Sequence, residues 1–294
     1  MRAAIRGEMM RRRRRRLIPL VVIAVLALAV ILFSPWGLLK GSLYSGDNAE
    51  STREEDTKGE QARSGPVEKK SDANPPSVAI VVDDVGFDAT NLPQWLAIDA
   101  PLSFAVMPYC VLSAGLSDQL YGAGYLIMMH IPTENLPPNT YSADGQLSCG
   151  MDSGTVSGTL DADLATVPNV SGINNHQGGQ GCADLQLMTY ECEWANSKGL
   201  YVVDSNSASN SKVAQAAVSL GLGHKRNEVF IDHQNDPEYI RSAMRKLADL
   251  ATRNGYAIGI CHFHRPNTPT VVGEMVKVLK EEGIHFAFAR DINN

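Results

Sequence analysis

The sequence predicts an α/β protein on a parallel sheet, closed as a barrel or doubly wound, and three features of the chain predict it. Short, unbroken apolar runs rich in Val and Ile recur from residue 78 onward, as expected of strands buried on both faces. Stretches with apolar residues at helical spacing alternate with them. The apolar runs end in Asp, Asn or His, and parallel strands direct such C-terminal ends to one rim, where α/β barrels carry their sites.

The runs follow in order. Val78–Val82 ends in Asp83-Asp84, and Leu102–Val106 is the second strand. Leu126–Met129 ends in His130, with Glu134 four residues on. Pro137–Met151 is a long polar insertion, expected as a loop over one face. Val170–Ile173 runs into Asn174, Asn175 and His176. A helix is expected over Ala183–Ser197, with Leu185, Leu187, Met188 and Trp194 in its pattern. Leu200–Val203 ends in Asp204-Ser205, and Val229–Ile231 in Asp232-His233. Pro237–Arg253 is expected as a helix capped by Asp236, with Pro237 at its first position and Ile240, Met244, Leu247 and Leu250 on one face. Ala257–Cys261 ends in His262-Phe263-His264, and Cys261 is expected as a buried thiol. Thr270–Glu282 repeats the helical logic through Val272, Met275, Val276 and Leu279 until Gly283 stops it, and Phe286–Ala289 is a last short strand.

The N-terminal quarter has a different character. Of 294 residues, the first 16 hold eight Arg and one Glu, and Leu17–Phe33 is uncharged and almost wholly apolar, with Trp36, Leu38 and Leu39 extending it. Twenty-odd such residues span the ~30 Å hydrocarbon core of a bilayer. Residues 17–39 are therefore expected to anchor the chain in a bacterial inner membrane, with 1–16 cytoplasmic and the C-terminal body in the periplasm. A cleaved secretory signal is the competing reading, but the stretch lacks the small-residue pair of such a cleavage site. Residues 40–76 are polar and charged after Tyr44, so they are expected as a disordered tether leading to a folded domain at 77–294. The 278 residues after Arg16 carry 18 basic and 31 acidic groups, a balance that argues against nucleic acid as a partner. The five Cys contain no CxxC pair, which excludes a zinc finger or thioredoxin motif.

Five of the seven His (130, 176, 233, 262 and 264) fall at the rim together with several Asp. That mixture suits Zn²⁺ or another first-row divalent ion, and Asp204 or Asp232 is placed to orient a His from behind. Taken singly, each group has a plainer reading. The Asp pair also suits a helix cap, the Asn pair turn hydrogen bonds, and Glu134 an ordinary loop carboxylate. His233 and His264, second in their pairs, also suit solvent-facing positions, and His224 and His285 lie away from the rim.

Val-Val-Asp-Asp-Val-Gly (81–86), the stretch 124–134 ending in His-Ile-Pro-Thr-Glu, Gly-Ile-Asn-Asn-His-Gln-Gly (172–178), Val-Val-Asp-Ser (202–205) and Gly-Ile-Cys-His (259–262) together resemble the divergent polysaccharide deacetylase family over residues 77–290. The resemblance implies a distorted (β/α)7-8 barrel and a metal-dependent deacetylase acting on cell-envelope glycan. It makes Asp83 the catalytic base, Asp84 and His130 metal ligands, and His262 the general acid. Glu134 stands where the wider superfamily has a second His, and His176 is the candidate for that missing imidazole. Asn206 stands where an Arg is common, and the superfamily's Arg-Pro motif is not recognisable. Zinc is the expected ion. Glu134, Asn174, Asn175, Asp204, Asp232 and His264 are expected behind the ligands or against substrate. The alternative is a glycan-binding barrel with weak or no catalysis and a role in envelope assembly.

Overall fold

The structure, a computed structural model, describes residues 75–138 and 142–292. The basic tail 1–16, the expected anchor 17–39 and nearly all of the tether 40–76 lie outside them. Among the described residues no helix is long and apolar enough to cross a membrane.

Nine strands and seven α-helices alternate along the described chain. They are β1 (Ser77–Val85), α1 (Leu92–Leu96), β2 (Leu102–Val106), α2 (Ser113–Gly122), β3 (Leu126–Thr133), α3 (Ser153–Leu164), β4 (Val170–Gln177), α4 (Leu185–Ser197), β5 (Tyr201–Asp204), α5 (Val213–Ser219), β6 (His224–Arg226), β7 (Val229–Phe230), α6 (Pro237–Asn254), β8 (Tyr256–His262), α7 (Thr268–Glu281) and β9 (His285–Phe286). All strand pairings are parallel, in the order β6-β5-β4-β3-β2-β1-β8-β7, with β9 beside β1. The two outer strands of that order are consecutive in the chain, separated only by Asn227 and Glu228. Asn227 N–H donates to Asp204 O and Glu228 N–H to Ile258 O, so one extended segment leaves β5 and joins β8. The parallel sheet thereby curls into a half-barrel, closer to the barrel than to the doubly wound arrangement the sequence left open.

Alternation along β1 divides the core. Val78, Ile80 and Val82 face the outer helices α6 and α7, whereas Ala79 and Val81 point inward with Ala105, Met128, Val203, Ile258 and Ile260. Ala289 and Ile292 join that inner cluster. A second outer cluster packs α3, α4 and α5 on β3 to β5 through Met129, Ile131, Leu160, Met188 and Val202.

Helix α6 forms where its sequence says. Asp236 accepts from Tyr239 N–H, Pro237 opens the helix, and Gly255 closes it at φ 87°. Helix α4 starts later than expected: Asp184 caps it, and Gly181–Ala183 before it is a 3₁₀ turn. The last expected strand is cut to His285–Phe286, because Ala289 begins a second 3₁₀ turn. Helix α3 is Gly-, Ser- and Thr-rich and β6 reads His-Lys-Arg, so neither carries a periodic signal. None of the five cysteines is in a disulfide, and Cys261 is buried.

Candidate metal and proton-transfer site

The site is built at the C-terminal ends of β1, β3, β4 and β8. In a regular strand Asp83 and Asp84 would point to opposite faces. The β1–β2 register slips between Val82 and Val85, and Asp84 takes φ 61°, a left-handed conformation uncommon outside glycine. That kink brings both carboxylates to His130: Asp84 Oδ1 lies 3.3 Å from His130 Nε2, and Asp83 Oδ2 lies 3.7 Å from the same nitrogen.

Parallel pairing of β3 with β4 sets His130 against Asn174 and Pro132 against His176. His176 Nδ1 lies 2.9 Å from Asp84 Oδ1 and 3.2 Å from His130 Nε2. Three potential donor atoms from three strands thus stand 2.9–3.3 Å apart. Donors about 2.05 Å from a tetrahedral zinc are separated by about 3.3 Å, so the set has the dimensions of one face of such a site. Among the described residues, Asp84, His130 and His176 form the one His/Cys/Asp/Glu cluster of metal-binding dimensions.

The charges agree with that geometry. Burial works against the charge of Asp84, yet hydrogen bonds from His130 and His176 hold its carboxyl far below the usual range. Burial likewise disfavours a proton on the His130 ring, but Asp83, Asp84 and Asn174 pull its pKa up. Burial pushes Asp83 up, against the opposing pull of His130 and His262. The two carboxylates therefore favour a proton or a cation beside them.

The other side of the site is a His–Asp pair. His262 Nδ1 is 2.7 Å from Asp232 Oδ1, while Asp232 Oδ2 accepts from His262 N–H and from Thr268 Oγ1. Burial opposes charge on His262, but the fully buried Asp232 outweighs it and raises the imidazole to about 9. Trp95 Nε1 and Asn91 Nδ2 both donate to Phe263 O, and Phe263 stacks on Trp95, which fixes the turn after β8. His264, half exposed, faces the remaining oxygen of Asp84 at 3.7 Å.

Three expected residues lie elsewhere. Glu134 Oε2 accepts from Cys149 N–H and so ties down the insertion after β3. Asn175 points to the opposite face of β4 from its neighbours, where its amide meets Thr133 and the buried Glu191. Asp204 accepts from Asn206 N–H within its own loop and approaches Arg226, so it orients no histidine. Thr268 and Glu191 were not anticipated. Thr268 opens a helix next to Pro269, a position that reads as a cap, and Glu191 sits in a helix among polar residues that mask its burial.

Comparison with known proteins places the chain by family and by fold. The family model "Divergent polysaccharide deacetylase" matches residues 80–292. The uncharacterized protein YibQ of Escherichia coli K12 is 30% identical over 199 residues, which are 68% of this chain and 62% of that protein, so the chain spans less than two thirds of that relative. An uncharacterized protein of Haemophilus influenzae is 28% identical over 205 residues, 70% of this chain and 72% of that protein. The crystal structure of the uncharacterized protein ATU2773 from Agrobacterium tumefaciens C58 shares the fold, with TM-score 0.69 and 21% identity over 74% of this chain and 89% of that chain. The chain belongs to the divergent polysaccharide deacetylase family.

Proposed function

We propose that the chain is a divalent-metal-dependent deacetylase that removes acetyl groups from an envelope glycan, with zinc as the ion. The observation that carries this reading is the placement of Asp84, His130 and His176 between a buried carboxylate, Asp83, and an Asp-held imidazole, His262. Asp84, His130 and His176 would hold the ion. Its contribution is Lewis-acid chemistry, acidifying water and polarising an acyl oxygen.

The protein's own groups supply the proton transfers. Asp83 receives the proton of the attacking water. His262 stays protonated at neutral pH because Asp232 fixes its Nδ1–H, and it delivers a proton to the departing amine or alcohol. Asp232 is in turn fixed by Thr268 and so cannot rotate away. The Arg-rich 1–16 and apolar 17–39 segments support an anchored, exported enzyme.

The test measures metal stoichiometry and acetate release from peptidoglycan, chitooligosaccharide and acetylated polysaccharide. The proteins compared are the wild type, His176→Ala, His262→Ala and Asp83→Asn. The expected result is loss of metal in His176→Ala alone. Turnover should fall by about 10²–10⁴ in the other two. Metal-loaded wild type that binds glycan but releases no acetate would make it a glycan-binding barrel instead.

A further inference from the structure

Asn174 is fully buried, and its amide touches both the triad and the carboxylate beside it. Its Oδ1 is 2.8 Å from His130 Nδ1, and its Nδ2 donates to Asp83 Oδ1 over 2.8 Å. An amide oxygen only accepts and an amide nitrogen only donates. A carboxylate only accepts, so Asp83 dictates which end of the amide faces it. With Nδ2 turned to Asp83, Oδ1 must face His130 Nδ1, and that nitrogen must carry a hydrogen. The opposite amide orientation would set an oxygen against the Asp83 carboxylate and leave two buried acceptors unmatched.

We propose that Asn174 is a positioning residue that takes its orientation from Asp83 and imposes the Nδ1–H tautomer on His130. Nε2, which donates to Asp84 while it carries a proton, would turn its lone pair toward Asp84 and His176 once a cation takes the place of that proton. The same contact occupies Asp83 Oδ1 and leaves Oδ2 on the side of His130 Nε2, 3.7 Å away. A histidine ligand commonly has its second nitrogen tied to an acceptor. Here the acceptor is itself held by a carboxylate of a different strand, so β1 sets the ligand geometry of β3 through one side chain of β4. The proposal rests on the metal-site part of the proposed function and is independent of the deacetylase part.

Zinc affinity by chelator competition, read without any substrate, separates the two. Asn174→Leu removes the acceptor, and zinc affinity should fall about 10–100-fold. Asn174→Asp keeps an acceptor for His130 but opposes two carboxylates. It should hold zinc within about threefold of the wild type while melting at lower temperature. Asp83→Asn added to Asn174→Asp exchanges donor and acceptor and should restore the melting temperature, a coupling absent if the two sites act independently. Nitrogen-15 NMR of zinc-loaded wild type should show the His130 proton on Nδ1. The proposal is overturned if Asn174→Leu folds and binds zinc as tightly as the wild type. It also falls if Asn174→Asp loses zinc, if the double exchange fails to recover stability, or if the His130 proton sits on Nε2. Should Asn174→Leu not fold, the exchange pair and the NMR measurement decide. An absence of acetate release with this zinc pattern intact would count against the deacetylase reading alone.

Discussion

Asp204 and Asp232 both stand at the end of a short buried strand, and both are almost completely buried, yet they serve different neighbours. Asp232 gives one oxygen to the His262 imidazole and the other to His262 N–H and Thr268. Asp204 gives one oxygen to Asn206 N–H in its own loop, and its other oxygen lies 3.9 Å from Arg226 Nε. The difference comes from the strand alongside. β7 lies beside β8, which ends in His262, whereas β5 lies between β4, whose His176 turns to Asp84, and β6, whose register sets Arg226 against Asp204. The surroundings of a rim carboxylate thus decide whether it holds a histidine or anchors a turn.

Substitution by Asn at each position puts the contrast to its hardest test. Asp232→Asn removes the charge that raises His262 and leaves one acceptor oxygen where His262 Nδ1, His262 N–H and Thr268 Oγ1 converge. Turnover should fall about 10²–10⁴-fold with zinc content unchanged. Asp204→Asn should keep turnover within about threefold, since it touches no group of the site, while lowering the melting temperature. Equal rate losses in the two variants would erase the distinction between the two carboxylates.

A stability measurement sharpens the comparison from the other direction. Leu247 of α6 is fully buried, and its Cδ2 would lie 2.8 Å from a Cβ added to Gly259 of β8, so the helix packs on bare backbone there. Leu247→Ala should cost about 2–5 kcal/mol, read by denaturant unfolding. A loss below about 0.5 kcal/mol would mean the helix presents another face to the strand that carries His262.

The pH dependence gives the smallest but most specific signal. The folded protein holds the His262 proton more tightly than the unfolded chain, with its pKa raised from 6.5 to about 9. A raised folded pKa stabilises fully below the unfolded value and loses that contribution as pH rises. The stability difference between wild type and Asp232→Asn should therefore be greatest below pH 6.5 and decline through pH 9. The corresponding difference for Asp204→Asn should show no such decline. The alkaline limb of acetate release, checked on the same proteins, should lie near pH 9 in the wild type and move down in Asp232→Asn.

Much of the fold was legible locally because the signal is local. Buried parallel strands must be continuously apolar, so Val78–Val82 and Ala257–Cys261 announce themselves. Asp236, Pro237 and Gly255 mark α6 by capping chemistry that needs no distant partner. Helix α3 and strand β6 were hidden for the same reason. Their residues favour neither element, and packing on β3 and pairing with β5 select the conformation.

The residue types of the site, and their places at strand ends, were determined by the sequence itself. Period-two alternation also makes Asn174 and His176 share a face of β4 while Asn175 takes the other. Tertiary structure decided the pairings. The kink at Asp84 lets two adjacent carboxylates face one imidazole, and strand order assigns Asp232 but not Asp204 to a histidine. These depend on which strands become neighbours and in what register. Contacts between residues far apart in the chain set both, so no local pattern can encode them.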